Sequence, residues 1–127
     1  MELNELMIGD WVSYKGKPHK VNGIEDNHLY LKNPNGSVIM ALPDEITPIP
    51  VSKEILKKNG FDLTDMEEFA RLDFADGKFV IRAMYHKDSG KQTGWAYFAF
   101  NVLSIIDYVH QLQHAFRICE IKQEINL

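Results

Sequence analysis

NVLSIIDYVHQLQHAFR, residues 101–117, carries the most sustained helical apolar period in the chain. Val102, Ile105, Val109, Leu112 and Phe116 recur at three- and four-residue steps, and Leu103 and Ile106 widen the stripe. Ser104, Asp107, His110, Gln111, His114 and Arg117 take the other side. The spacing predicts one long amphipathic helix, capped at Asn101. A helix with one apolar side needs an apolar surface to lie on. Removing Phe116 or Leu112 is expected to cost more than any surface change.

The surface is written just upstream. Phe79, Ile81, Ala83 and Tyr85 alternate with Val80, Arg82, Met84 and His86, the period of a strand with one apolar face. Phe69 to Phe74 precedes it across an Asp76-Gly77 turn, and Thr93 to Phe100 follows the polar loop from His86 to Gln92. Three antiparallel strands under one helix are the expectation. Trp95 and Tyr97 alternate with Phe98 and Phe100, so both faces of the last strand are aromatic. The uncovered face is expected to meet a partner, a second copy or the first part of the chain. Ser52 is a helix cap for Lys53 to Lys58, which Asn59-Gly60 ends. After the long helix, Ile121, Gln123 and Ile125 alternate in a tail expected to add a short strand.

The first fifty residues read as a meander. Trp11 to Tyr14, His19 to Ile24, His28 to Lys32, Ser37 to Leu42 and Ile46 to Ile49 are short strand segments. Between them stand Lys15-Gly16-Lys17-Pro18, Glu25-Asp26-Asn27, Asn33-Pro34-Asn35-Gly36 and Pro43. Proline fixes φ and Asn-Gly supplies positive φ, so these are reversals. Val38, Ile39 and Met40 are too continuous to assign one buried face. Strands this short bury a shared apolar side best by curling, as in an SH3-like β-barrel. Thr47-Pro48-Ile49-Pro50 is the candidate hinge, since each proline biases the residue before it away from helix. The fold class expected is α+β: an SH3-like lobe over residues 1–50, then a short helix, an antiparallel sheet and a long amphipathic helix over 51–127.

Composition narrows the function classes. With 45% apolar and 25% charged residues the chain is globular, outside the regime of disorder. Lys and Arg number 14 against 18 Asp and Glu, a net charge of -4, which disfavours nucleic acid and anionic membranes unless basic residues cluster. Cys119 is the one cysteine, which excludes an internal disulfide or a thiolate metal cluster; it reads as a small buried hydrophobe. The N-terminus, MELNELMIGDW, has acidic residues where a signal peptide needs basic ones, and no apolar run approaches the ~18 residues of a membrane span. A cytoplasmic location follows as the default.

Three stretches carry a resemblance: LMIGDWVSYKGKPHKVNGI at 6–24, ALPDEITPIPVSKEILKKNGF at 41–61 and DYVHQLQHAF at 107–116. They resemble a group of small uncharacterised proteins of gut Bacteroidetes and their mobile elements. Val109, His110, Leu112 and Gln113 match the Val-His-x-Leu-Gln core of that group's last helix. Where many of those proteins continue with an aromatic pair and Leu-Thr-Gly, this chain has Ala115-Phe116-Arg117-Ile118-Cys119. The resemblance implies a shared fold and carries no activity, cofactor or catalytic residue with it.

Asp107, His110 and His114 stand three and four apart, a helical spacing that can hold a divalent metal, but Gln111 occupies the place of the glutamate in His-Glu-x-x-His. Ser13, Ser37, Ser89 and Cys119 lack a nucleophile elbow, and Asp62, Asp65, Glu67 and Glu68 read as a solvated turn. Trp11, Tyr14 and Tyr30 beside Lys15, Lys17, Lys20 and Lys32 could stack single-stranded nucleic acid. Arg71, Arg82 and Lys91 could line the polar side of the second sheet in the same way, whereas Trp95 and Tyr97 mark an aromatic face of that sheet as a surface for a protein. No catalytic residue and no cofactor is expected. The first choice is a non-enzymatic protein-interaction or accessory module, whose binding surface draws on Trp11, Tyr14, Lys20, Tyr30, Arg82, Trp95 and Tyr97 and whose partner is another protein or a second copy. A nucleic-acid-associated small barrel is second, and a metal-dependent enzyme third.

Overall fold

The meander of the first fifty residues becomes five short strands in a computed structural model of the chain, which describes residues 1–63, 68–74, 77–99 and 102–127. The side chains of 98, 99 and 102 fall outside that description, as do the expected Asn101 cap, Asp76 of the hairpin turn, Phe100, Asp65 and Glu67. The chain divides into two compact units: 1–50 with 108–113, and 51–107 with 114–127. It is α+β, mostly strand.

In the first unit β1 (Trp11–Tyr14), β2 (Lys17–Ile24), β3 (Leu29–Lys32), β4 (Val38–Ala41) and β5 (Ile46–Thr47) form one antiparallel sheet in the order β4-β3-β2-β1-β5. Lys15 and Gly16 join β1 to β2 with φ of 51° and 75°, a two-residue turn whose left-handed pair suits the strand twist. Val12, Val21, Leu29, Leu31, Ala41 and Ile46 point to one side and are buried with Leu6. Among the described residues the sheet is open, with β4 and β5 as its edges and no closure into a barrel. A register shift between Val21 and Gly23 leaves Asn22 as a bulge in β2. Pro43–Glu45 makes a 3-10 turn into β5, and Glu45 Oε1 accepts from the Leu42 N–H at 2.9 Å. The segment after Pro48 is tied to 108–113: Val109 N–H donates to the Ile49 carbonyl at 2.8 Å, and Pro50 bridges Tyr108.

The second unit is a five-stranded antiparallel sheet of β6 (Asp62–Leu63), β7 (Phe69–Phe74), β8 (Gly77–Tyr85), β9 (Gln92–Ala99) and β10 (Val102–Ile106), in the order β10-β9-β8-β7-β6. Ala70, Leu72, Phe79, Ile81, Ala83, Trp95, Tyr97 and Ile106 are buried on it. Helix α1 (Lys53–Lys58) starts where expected, its Ser52 Oγ accepting from Ile55 N–H at 3.2 Å. Helix α2 covers only Val109–Ile118. This corrects the long helix expected from 101: Val102–Ile106 is a strand, because four of its five side chains are branched or bulky aliphatics that suit a pleated edge. The greasy stripe therefore belongs to two elements. Tyr108 caps α2, its N–H donating to Gln111 Oε1 at 3.0 Å, the return half of a capping box.

The sheet's lid comes from elsewhere. Phe116 stacks on Phe61 at 6.2 Å and meets Phe79 edge-on at 5.4 Å, while Leu56, Ile121 and Ile125 are also buried. The tail is no strand: it is held by the Asn59 carboxamide, whose Nδ2 donates to the Asn126 carbonyl and whose Oδ1 accepts from Asn126 N–H, both at 2.7 Å. Among the described residues no helix is long and apolar enough to cross a membrane.

Candidate binding faces

The first sheet's outer side is defined by alternation. With Val12, Val21, Leu29, Leu31 and Ala41 inward, Trp11, Lys20, Lys32 and Val38 point outward and lie opposite one another in a single cross-strand row. A second row beside it runs Gly23, Tyr30, Met40. Lys20 Nζ sits 5.0 Å from the Trp11 ring centre, within cation–π range. Val38 and Met40, two positions apart and so on the same side of β4, are 49% and 60% exposed. The continuous apolar run does not orient Val38–Met40; the hairpin register from Asn33 to Ser37 does.

Tyr30 anchors an acidic corner of this face. Its ring meets His28 edge-on at 5.4 Å, and His28 Nε2 lies 3.2 Å from Glu25 Oε2. The Glu25 carboxylate, with smaller contributions from burial and a hydrogen bond to Glu25, pushes the Tyr30 phenol above its ordinary pKa. The remaining aromatic of the expected set, Tyr14, is on the other side of the sheet: it packs on the core and meets buried His19 edge-on at 5.5 Å. Trp11, Lys20 and Tyr30 are thus brought to one face, and Tyr14 is removed from it.

In the second unit the expected surface residues separate. Arg82 is exposed, pairs with Glu68 at 3.2 Å and lies 5.8 Å over the Phe69 ring. Trp95, only 2% exposed, and Tyr97 are in the core, because Trp95 pairs with Ala83 on the inward register; neither offers surface to a partner. The exposed residues are instead Phe69, Arg82 and Ile105, in register across β7 to β10 through buried Ala96, with Val80 and Leu103 exposed nearby. The helical reading of 102–106 hid Leu103 and Ile105 from this face.

The metal set does not share a helix. Asp107 precedes α2, so its spacing to His110 is not a helical step, and the His110 ring is 3% exposed and stacked on Tyr108 at 5.9 Å. Among the described residues no three or more His, Cys, Asp and Glu side chains are grouped to hold a metal ion. Cys119 is partly buried, and desolvation pushes its thiol up, away from nucleophilic use at neutral pH.

Set beside known proteins, the chain matches no family model, no curated protein and no solved structure.

Proposed function

We propose that the protein is a cytoplasmic, non-enzymatic interaction module that engages another protein through the outer side of its first sheet. One observation carries this reading: the row Trp11, Lys20, Lys32, Val38, flanked by Tyr30 and Met40, assembles aromatic, cationic and exposed aliphatic groups on one face. Aromatic residues among polar ones are what desolvating protein contacts use. The strand order, the bulge in β2 and the 3-10 turn before β5 support an SH3-like reading of this unit, as a partly open relative of the barrel. Kinship with the Bacteroidetes group rests on the three sequence stretches given above.

The second reading is single-stranded nucleic acid on the same face, favoured by Trp11 and Tyr30 standing with Lys20 and Lys32. A photo-crosslinking residue placed at exposed Lys32 in the native cells separates the two. A discrete adduct with one protein supports the first. Adducts with nucleic acid, matched by salt-sensitive oligonucleotide binding in vitro, replace it with the second. Absence of any adduct overturns both.

A further inference from the structure

Strand β4 ends the order of its sheet, with no further strand paired to its outer side among the described residues. Natural sheets blunt such edges with lysines, prolines or bulges, yet Val38–Ala41 contains none of these. The direction of its backbone groups follows from the turn that precedes it. Asn33 N–H donates to the Ser37 carbonyl at 2.8 Å, which makes Asn33 and Ser37 a hydrogen-bonded pair. Pairs alternate along an antiparallel ladder, so Leu31 with Ile39 is bonded in turn, while Val38 and Met40 direct their N–H and C=O away from β3. Leu42 has the same outward phase, and there the Glu45 carboxylate already accepts the N–H. That cap marks where the edge stops and confirms the phase.

Charge gives the edge a polarity. Lys32 lies directly opposite Val38, with Lys20 next in the row. At the Ala41 end stand Asp44 and Glu45 beyond the strand and Glu25 in the β2–β3 turn.

Resting on the protein-binding reading above, we infer that β4 receives an extended peptide segment of the partner as a sixth, antiparallel strand. Its main chain bonds Val38 and Met40. Its aliphatic side chains lie on Met40 and Ile39, its acidic C-terminal part lies toward Lys32 and Lys20, and a basic residue lies toward Asp44 and Glu45. Strand addition of this kind draws affinity from the main chain and selectivity from alternate side chains.

The test uses the full chain and two synthetic peptides, acetyl-Lys-Val-Val-Glu-Glu-amide and its charge-reversed partner acetyl-Glu-Val-Val-Lys-Lys-amide. Amide exchange followed by NMR should show the first peptide protecting the Val38 and Met40 N–H groups. Methylating the peptide nitrogens opposite those residues should weaken binding about tenfold or more, since it removes main-chain bonds while keeping every side chain. Lys32→Glu, at an exposed position, should invert the preference between the two peptides. Unprotected Val38 and Met40 amides at saturating peptide concentration, or equal binding of the methylated peptide, overturns strand addition. If a protein adduct still forms at residue 32, the face remains the binding site and only the edge geometry falls. If none forms, both readings fall together.

Discussion

Gln113 grips the backbone of Trp11 from 102 residues away: its Oε1 accepts from the Trp11 N–H at 2.9 Å while its Nε2 donates to the Gly9 carbonyl at 3.0 Å. The two bonds straddle buried Asp10, whose Oδ2 accepts from Met7 N–H at 2.8 Å. A carboxamide offers a donor and an acceptor in one plane, which is what the backbone on either side of one residue presents. Gln113→Leu removes both bonds and should cost about 1–3 kcal/mol in urea unfolding. Gln113→Glu keeps an acceptor for Trp11 but turns an oxygen toward the Gly9 carbonyl, so it should fare no better. A Leu variant as stable as the parent would show that this clamp contributes nothing.

Gly94 is small for a reason of space. A Cβ there would overlap Asp107 Oδ1, stand 3.2 Å from Asp107 Cγ and 3.5 Å from the Ile106 carbonyl oxygen. Its φ lies outside the left-handed region, so backbone strain plays no part. Gly94→Ala should cost about 1–3 kcal/mol by forcing the carboxylate aside. Asp107→Ala in the same chain clears that obstacle, so the double variant should be less destabilised than the two single losses added. Simple additivity in a double-mutant cycle would place the cost elsewhere.

The strands most legible in the sequence are those bounded by turn chemistry. Pro34, Asn35, Gly36 and Pro43 fix the limits of β4, and Ser52 with Gly60 brackets α1. The segment 102–106 misled because Val102, Ile105 and Ile106 satisfy the spacing of a helix and the composition of a strand at once. Branched side chains in that run, and Gln111 three residues after Tyr108, were the signals pointing to a break at Asp107. Trp95 and Tyr97 show a second limit. Alternation reveals that a strand has two faces, but which one is buried depends on the neighbouring strand's register, here Ala83 against Trp95. Long-range ties such as Asn59 to Asn126 leave no local mark at all.

Tyr30 should titrate above the ordinary tyrosine range of about 10. The folded protein holds its phenol proton more tightly than the unfolded chain. The associated stability is therefore fully present below the unfolded pKa and is lost as pH rises through the folded one. Glu25→Gln removes the largest cause and should bring the residue back down. Ultraviolet titration of the phenolate band, parent against variant, checks this. Superimposable curves would mean that Glu25 does not govern Tyr30.

Leu103 and Phe116 distinguish the strand from the helix at the point where sequence and structure part. On a single amphipathic helix both belong to the buried stripe, and truncating either would open a cavity. In the structure Phe116 sits between Phe61 and Phe79, whereas Leu103 on β10 is 57% exposed. Phe116→Ala should therefore cost about 3–5 kcal/mol. Leu103→Thr places a β-branched residue, which suits a strand, at an outward position and should stay within about 0.5 kcal/mol of the parent. Chemical denaturation of the two variants measures the contrast. Comparable large losses in both would restore the continuous helix, and with it bury the outer row that ends at Ile105.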